Sequence, residues 1–110
     1  MEKTNSNSQS VQMAPEQKII EIANECANTV WSGEYTPDFK LVNLDKGEVT
    51  IRVCDGEDWL YSLKIEGGAI VYLYIHKHDT ALTYHELCFI NLINERADEI
   101  TEATFETEVA

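Results

Sequence analysis

Residues 48–75 read EVTIRVCDGEDWLYSLKIEGGAIVYLYI, and this stretch decides the fold. From Glu48 to Cys54 the chain alternates, with Val49, Ile51 and Val53 on one side and Thr50 and Arg52 on the other. A period of two is the mark of a strand that buries one face. Asp55-Gly56-Glu57-Asp58 then reads as a turn. Trp59 to Ile65 alternates again and puts Trp59, Tyr61, Leu63 and Ile65 on one side. Glu66-Gly67-Gly68 is a further turn, and Ala69 to Ile75 is apolar or aromatic at every position, as in a strand covered on both faces. Links this short join antiparallel strands, because a parallel pair needs a crossover of about a dozen residues.

Working outward, Phe39 to Leu44 is a short strand and Asp45-Lys46-Gly47 its turn, which completes a four-stranded meander. Further upstream, Pro15 suits the first position of a helix, where its missing N–H would be unpaired anyway. Glu16 favours the positive end of the helix dipole. Ile19, Ile22, Ala23, Cys26, Ala27 and Val30 recur at helical spacing, widened by Ile20 and Trp31. Gly33 is the expected helix-ending residue, and Pro37 prevents resumption. Downstream, Thr83-Tyr84-His85-Glu86 has the capping-box pattern. Leu87, Phe89, Ile90, Leu92, Ile93, Ala97 and Ile100 follow as one broad apolar stripe.

The expected order is therefore α-β-β-β-β-α. The fold class is α+β, a two-layer sandwich with an N-terminal and a C-terminal helix on one face of a four-stranded antiparallel sheet. Residues 1–13, rich in Asn, Ser and Gln, read as a disordered tail. Residues 14–100 read as a single domain, and residues 101–110 as an acidic tail holding Phe105. The wholly apolar fourth strand asks for more cover than this arrangement supplies. A homodimer burying Tyr72 and Tyr74 would provide it, with a partner protein on the same surface as the alternative.

Charge sets the class of partner. Twenty Asp and Glu against eight Lys and Arg give a net charge of −12 over 110 residues. Such a surface repels phosphate and anionic lipid, which argues against direct nucleic-acid or membrane binding. It suits a basic protein partner, and solubility alone is the plainer account. Cys26, Cys54 and Cys88 are odd in number and far apart, which suits reduced thiols packed as small hydrophobes. The first residues, MEKTNSNSQSVQM, have no apolar core of a secretory signal, so a cytoplasmic location is expected.

Catalytic chemistry finds little to stand on. His76, His78 and His85, with Asp79 nearby, supply ligand types that zinc or nickel accepts, but the spacing meets no metal motif. The plainer reading is a polar loop before a helix. His85 and Cys88 are neighbours on the second helix without an orienting third residue or an oxyanion loop. Cys88 is better explained as a core residue beside Leu87 and Phe89. Asp55, Glu57 and Asp58 are too few and too close for a calcium loop. No phosphate-binding glycine loop and no hydrolase or kinase signature is present. The chain is not expected to be an enzyme, and it implies no cofactor.

The leading expectation is a non-enzymatic acidic protein that occludes a basic surface of a protein partner, such as a nucleic-acid-processing enzyme. In size, acidity and lack of motif it is similar to toxin-nuclease immunity proteins and phage-encoded nuclease inhibitors, a likeness of class that transfers no residue. The partner-binding candidates are the turn acids Asp55, Glu57 and Asp58, the run Asp98, Glu99 and Glu102, and the aromatics Tyr72 and Tyr74. The alternatives are a small acidic chaperone or adaptor that docks a peptide, and a small metal-dependent enzyme built on the histidine loop.

Overall fold

The computed structural model describes residues 14–76 and 82–106. Helix α1 spans Pro15–Trp31, and strands β1 (Asp38–Asp45), β2 (Glu48–Asp55), β3 (Asp58–Glu66) and β4 (Ala69–Ile75) follow. Helices α2 (Tyr84–Glu95) and α3 (Ala97–Ala103) complete the order. The strands form one antiparallel sheet in the order β1-β2-β3-β4. The fold is the α+β sandwich that the alternation implies, with three helices in place of two. The expected tail at Met1–Met13 and the stretch from Lys77 to Ala81 lie outside the described residues.

α1 starts with Pro15 at its first position and buries Ile19, Ile22, Ala23, Cys26 and Ala27. Its end differs by one residue from the expectation. Ser32 itself takes the left-handed conformation, φ 55°, and its amide closes on the Asn28 carbonyl at 2.8 Å. Gly33 follows at φ 80°.

Helix α2 opens with the capping box: the Glu86 amide donates to Thr83 Oγ1 (3.1 Å), and the Thr83 amide donates to Glu86 Oε1 (2.9 Å). The single stripe expected from Leu87 to Ile100 is broken at Arg96, which leaves the helical region with φ −106° and ψ 15°. The break re-aims the apolar residues. α2 buries Phe89 and Ile93, and α3 buries Ala97, Ile100 and Ala103. Leu87, outside both sets, is half exposed.

α3 runs past position 100, where the change of composition places an acidic tail. Thr104 beyond it is buried, accepts from the Gly47 amide (2.7 Å) and donates to the Thr101 carbonyl (2.6 Å). Thr101 Oγ1 accepts from the Gly68 amide at 2.9 Å. Two hydroxyls of the α3 segment thus satisfy amides in the β1–β2 and β3–β4 turns. Those turns lie at one end of the sheet, so α3 is fixed there.

The core lies between the helix layer and one sheet face. Val49, Ile51 and Val53 of β2 pair across to Ile65, Leu63 and Tyr61 of β3, and all six are buried. Phe89 of α2 stacks on Phe39 (5.6 Å between ring centroids) and leans on Trp31 (5.7 Å), which joins both helices to β1. Among the described residues no helix is long and apolar enough to cross a membrane.

Candidate partner-binding surfaces

The carboxylates sort by position in the fold. The helix layer, counted with its flanking Arg96 and Glu106, carries Glu16, Glu21, Glu25, Glu86, Glu95, Asp98, Glu99, Glu102 and Glu106 against Lys18 and Arg96. Of these carboxylates, all but the partly buried Glu86 are exposed. Part of that charge is matched. Arg96 bridges α1 and α3, with Nη1 at 2.6 Å from Glu25 and Nη2 at 2.9 Å from Glu99. The Arg96 hydrogen bonds hold the Glu99 carboxyl below its ordinary range. Lys18 meets Glu106 at 3.2 Å. Among the described residues, Glu16, Glu21, Glu95, Asp98 and Glu102 have no cation within ion-pair reach.

The two acid sets singled out from the sequence do not form one site. Asp55, Glu57 and Asp58 are exposed on the β2–β3 turn, at the end of the sheet opposite α3. One strand length separates them from Asp98, Glu99 and Glu102, about 25 Å for eight residues. The α3 end gathers other acids instead. Asp45 and Glu48 flank the β1–β2 turn, and Glu66 precedes the β3–β4 turn, so all three share that end with Asp98 and Glu102. A Cβ added to Gly68 would collide with Oδ1 of Asp98, which shows how closely α3 seats. Lys64 reaches toward this group at 3.9 Å from Glu48 and 4.0 Å from Glu66. The sequence hides this patch because its members lie on separate elements; the Thr101 and Thr104 hydroxyls that assemble it were the only local signal.

The outer face of the sheet has the opposite character. Tyr72 and Tyr74 pair with Lys64 and Ser62 and point away from the core, each more than half exposed. Trp59 was expected beside Tyr61 on the inner side. A register shift between Val53 and Cys54 makes Leu60 an extra residue on β3 and turns Trp59 outward. There the Arg52 guanidinium lies 3.7 Å from its ring centroid. His76 packs edge-on against Trp59 (5.4 Å) and Tyr74 (4.8 Å), and Tyr74 stacks on Tyr72 at 6.4 Å. One row therefore runs Tyr72, Tyr74, His76, Trp59, Arg52. Lys40, opposite Arg52, adds a third cation to this face alongside Lys64. No acid occupies the strand interiors, and neither Lys40 nor Arg52 has a carboxylate within ion-pair reach among the described residues.

Among the described residues no group of three or more His, Cys, Asp or Glu side chains converges. His76 Nε2 is 2.7 Å from Ser62 Oγ, which ties it to the sheet. Burial, and then the nearby Arg52, hold its imidazole below the ordinary value of 6.5. His85 is exposed on α2, and its ring meets only Tyr84 (5.9 Å) among the aromatic contacts. His78 and Asp79 lie outside the described residues.

The thiols distribute differently from the expectation. Cys26 and Cys54 are buried, and Cys88 is only partly so. Burial raises the Cys26 thiol above its ordinary value, which disfavours the reactive thiolate. A depression bounded by Gln17, Ile20, Glu21 and Asn24 lies open on the outer side of α1.

Comparison with known proteins finds no family model, no curated protein and no solved structure that matches this chain. The class is therefore defined by the fold and surface alone, an α+β sandwich with an acidic helix layer and an aromatic, cationic sheet face.

Proposed function

We propose that this chain is a non-enzymatic binding protein that covers a basic surface of a protein partner. The observation that carries this reading is the gathering of Asp45, Glu48, Glu66, Asp98 and Glu102 at the α3 end of the molecule. These acids come from three separate segments: Glu48 and Glu66 lie beside Lys64 at the end of the outer sheet face, Asp98 and Glu102 lie on α3, and the Thr101 and Thr104 hydrogen bonds fix α3 to the turns between them. Surfaces that bind phosphate backbones present Lys and Arg, so an enzyme that processes nucleic acid is the kind of partner this patch suits. Complementary charge speeds encounter and excludes wrong partners. The carboxylates Asp55, Glu57 and Asp58, at the far end, would contribute to steering and not to the same contact. Free thiols, two buried and one partly so, suit work in the cytoplasm.

The test is capture of proteins from a lysate of the native host on the immobilised full-length chain, at low and high salt. The comparison is with a variant carrying Glu66→Gln, Asp98→Asn and Glu102→Gln. The expected result is a basic protein that is released by salt and lost with the variant. A desolvated central pair should account for about 2–5 kcal/mol and each rim charge for much less. Retention of the same partner by both forms at high salt contradicts the proposal.

A second reading, an adaptor that docks a peptide, draws on the exposed apolar side chains of β4. It predicts the reverse behaviour: salt-tolerant capture that is lost when Tyr72 and Tyr74 are changed.

A further inference from the structure

We propose that β4 pairs antiparallel with β4 of a second copy of this chain, joining two sheets of four strands into one of eight. β4 is the last strand in the sheet order, so among the described residues one of its edges has no strand beside it. An open edge offers unpaired N–H and C=O groups to any strand that reaches it. The His76 amide donates to the Leu60 carbonyl on β3 at 2.9 Å. By the alternation of an antiparallel ladder, Tyr74 and Tyr72 share that direction, and Leu73 and Ile75 turn their backbone groups to the open edge. Asn94 Oδ1 accepts from the Ile70 amide at 2.9 Å and closes the start of the edge.

The side chains of this segment are exposed on both sides of the sheet: Val71 52%, Tyr72 57%, Leu73 37%, Tyr74 51% and Ile75 42%. A ligand lying on one face would leave the other side wet. A strand added at the edge brings side chains to both. Protein edges are usually guarded by charge or proline, and β4, Ala-Ile-Val-Tyr-Leu-Tyr-Ile, has neither.

A second copy fits because the segment complements itself. A two-fold axis through Leu73 sets Leu73 against Leu73, Tyr72 against Tyr74 and Val71 against Ile75. No charge meets a like charge in that contact, although each chain carries −12. A charged partner, by contrast, finds nothing on β4 to answer it. The five side chains offer on the order of 500 Å² per copy, about 1,000 Å² over the pair, at the lower limit for a specific interface. The dimer is therefore concentration-dependent. The axis stands perpendicular to the sheet, so both helix layers lie on the same side.

The contact rests on β4 and not on the carboxylate patch, and its test needs no partner. Sedimentation of the full chain from low to high micromolar should show a monomer passing to a dimer. Leu73→Lys, and separately Tyr74→Lys on the opposite side, should abolish that step, with circular dichroism confirming the fold of each. Amide exchange in concentrated samples of the unaltered chain should show Leu73 and Ile75 protected, with protection lost on dilution. A chain that stays monomeric at high micromolar concentration overturns the proposal. So does a dimer that survives both variants, or one in which the Leu73 and Ile75 amides exchange freely.

Discussion

The two faces of the sheet are built from the same strands and have opposite fates. On the inner face Val49, Ile51, Val53, Tyr61, Leu63 and Ile65 are excluded from water beneath the helices. On the outer face Lys40, Thr50, Arg52, Ser62 and Lys64 alternate with them, joined by Trp59, Tyr72 and Tyr74. Strand alternation makes this division, and the bulge at Leu60 adds Trp59 to the outer face. It teaches that stability rests on one face of the sheet and not the other, so substitutions on the two faces should separate cleanly.

The largest expected effect is on the inner face. Leu63→Ala removes a fully buried side chain and should cost about 3 kcal/mol of stability. Thr50→Ala, on the other side of the neighbouring strand, should change it by no more than about 0.5 kcal/mol. Urea unfolding of the two variants measures the contrast, and equal losses would break it.

Next in size is the join between α3 and the turns. Thr104→Val keeps the shape but leaves the Gly47 amide without its acceptor, at a cost of about 2 kcal/mol. The same unfolding measurement checks it. An unchanged midpoint would mean that the α3 end, and with it the carboxylate patch, is not fixed by this contact.

The inner face has one polar flaw. The Tyr61 hydroxyl is buried without a partner among the described residues, and burial raises it far above its ordinary value. Tyr61→Phe should therefore be neutral or stabilising by up to about 1 kcal/mol, unlike most core changes. A clear loss of stability would show that this hydroxyl is satisfied in solution.

The smallest effect belongs to His76 on the outer face. Its imidazole is held below the ordinary value by burial and by Arg52, so the folded state resists its protonation. Its contribution to stability is full above pH 6.5 and is lost as pH falls from there through the lowered folded value. An NMR titration should place its midpoint below 6.5. A midpoint above that value would reverse the sign.

The architecture was legible because the strands alternate without ambiguity and Thr83 and Glu86 announce α2. Three features were not. Trp59 changes face through a one-residue bulge, and one residue is enough to reverse a strand's sides. Arg96 breaks the final helix where it ion-pairs with Glu25 and Glu99, and no Gly or Pro in Asn94-Glu95-Arg96-Ala97 announces the break. The third is the carboxylate patch. Asp98 and Glu102 stood out as a run, whereas Asp45, Glu48 and Glu66 join them only once α3 is seated on the turns. The unbroken apolar run of β4 reads as a strand covered on both faces, and within the chain it is not: Val71 to Ile75 are exposed on both sides of the sheet.

The most direct measurement is carboxyl footprinting with a carbodiimide on the free chain and on its complex with the captured partner. Asp45, Glu48, Glu66, Asp98 and Glu102 should lose reactivity in the complex, with Asp55, Glu57 and Asp58 changing little. Carboxylates that stay equally reactive while Tyr72, Tyr74 and Trp59 become protected from oxidative labelling would contradict it and assign recognition to the open face of the sheet.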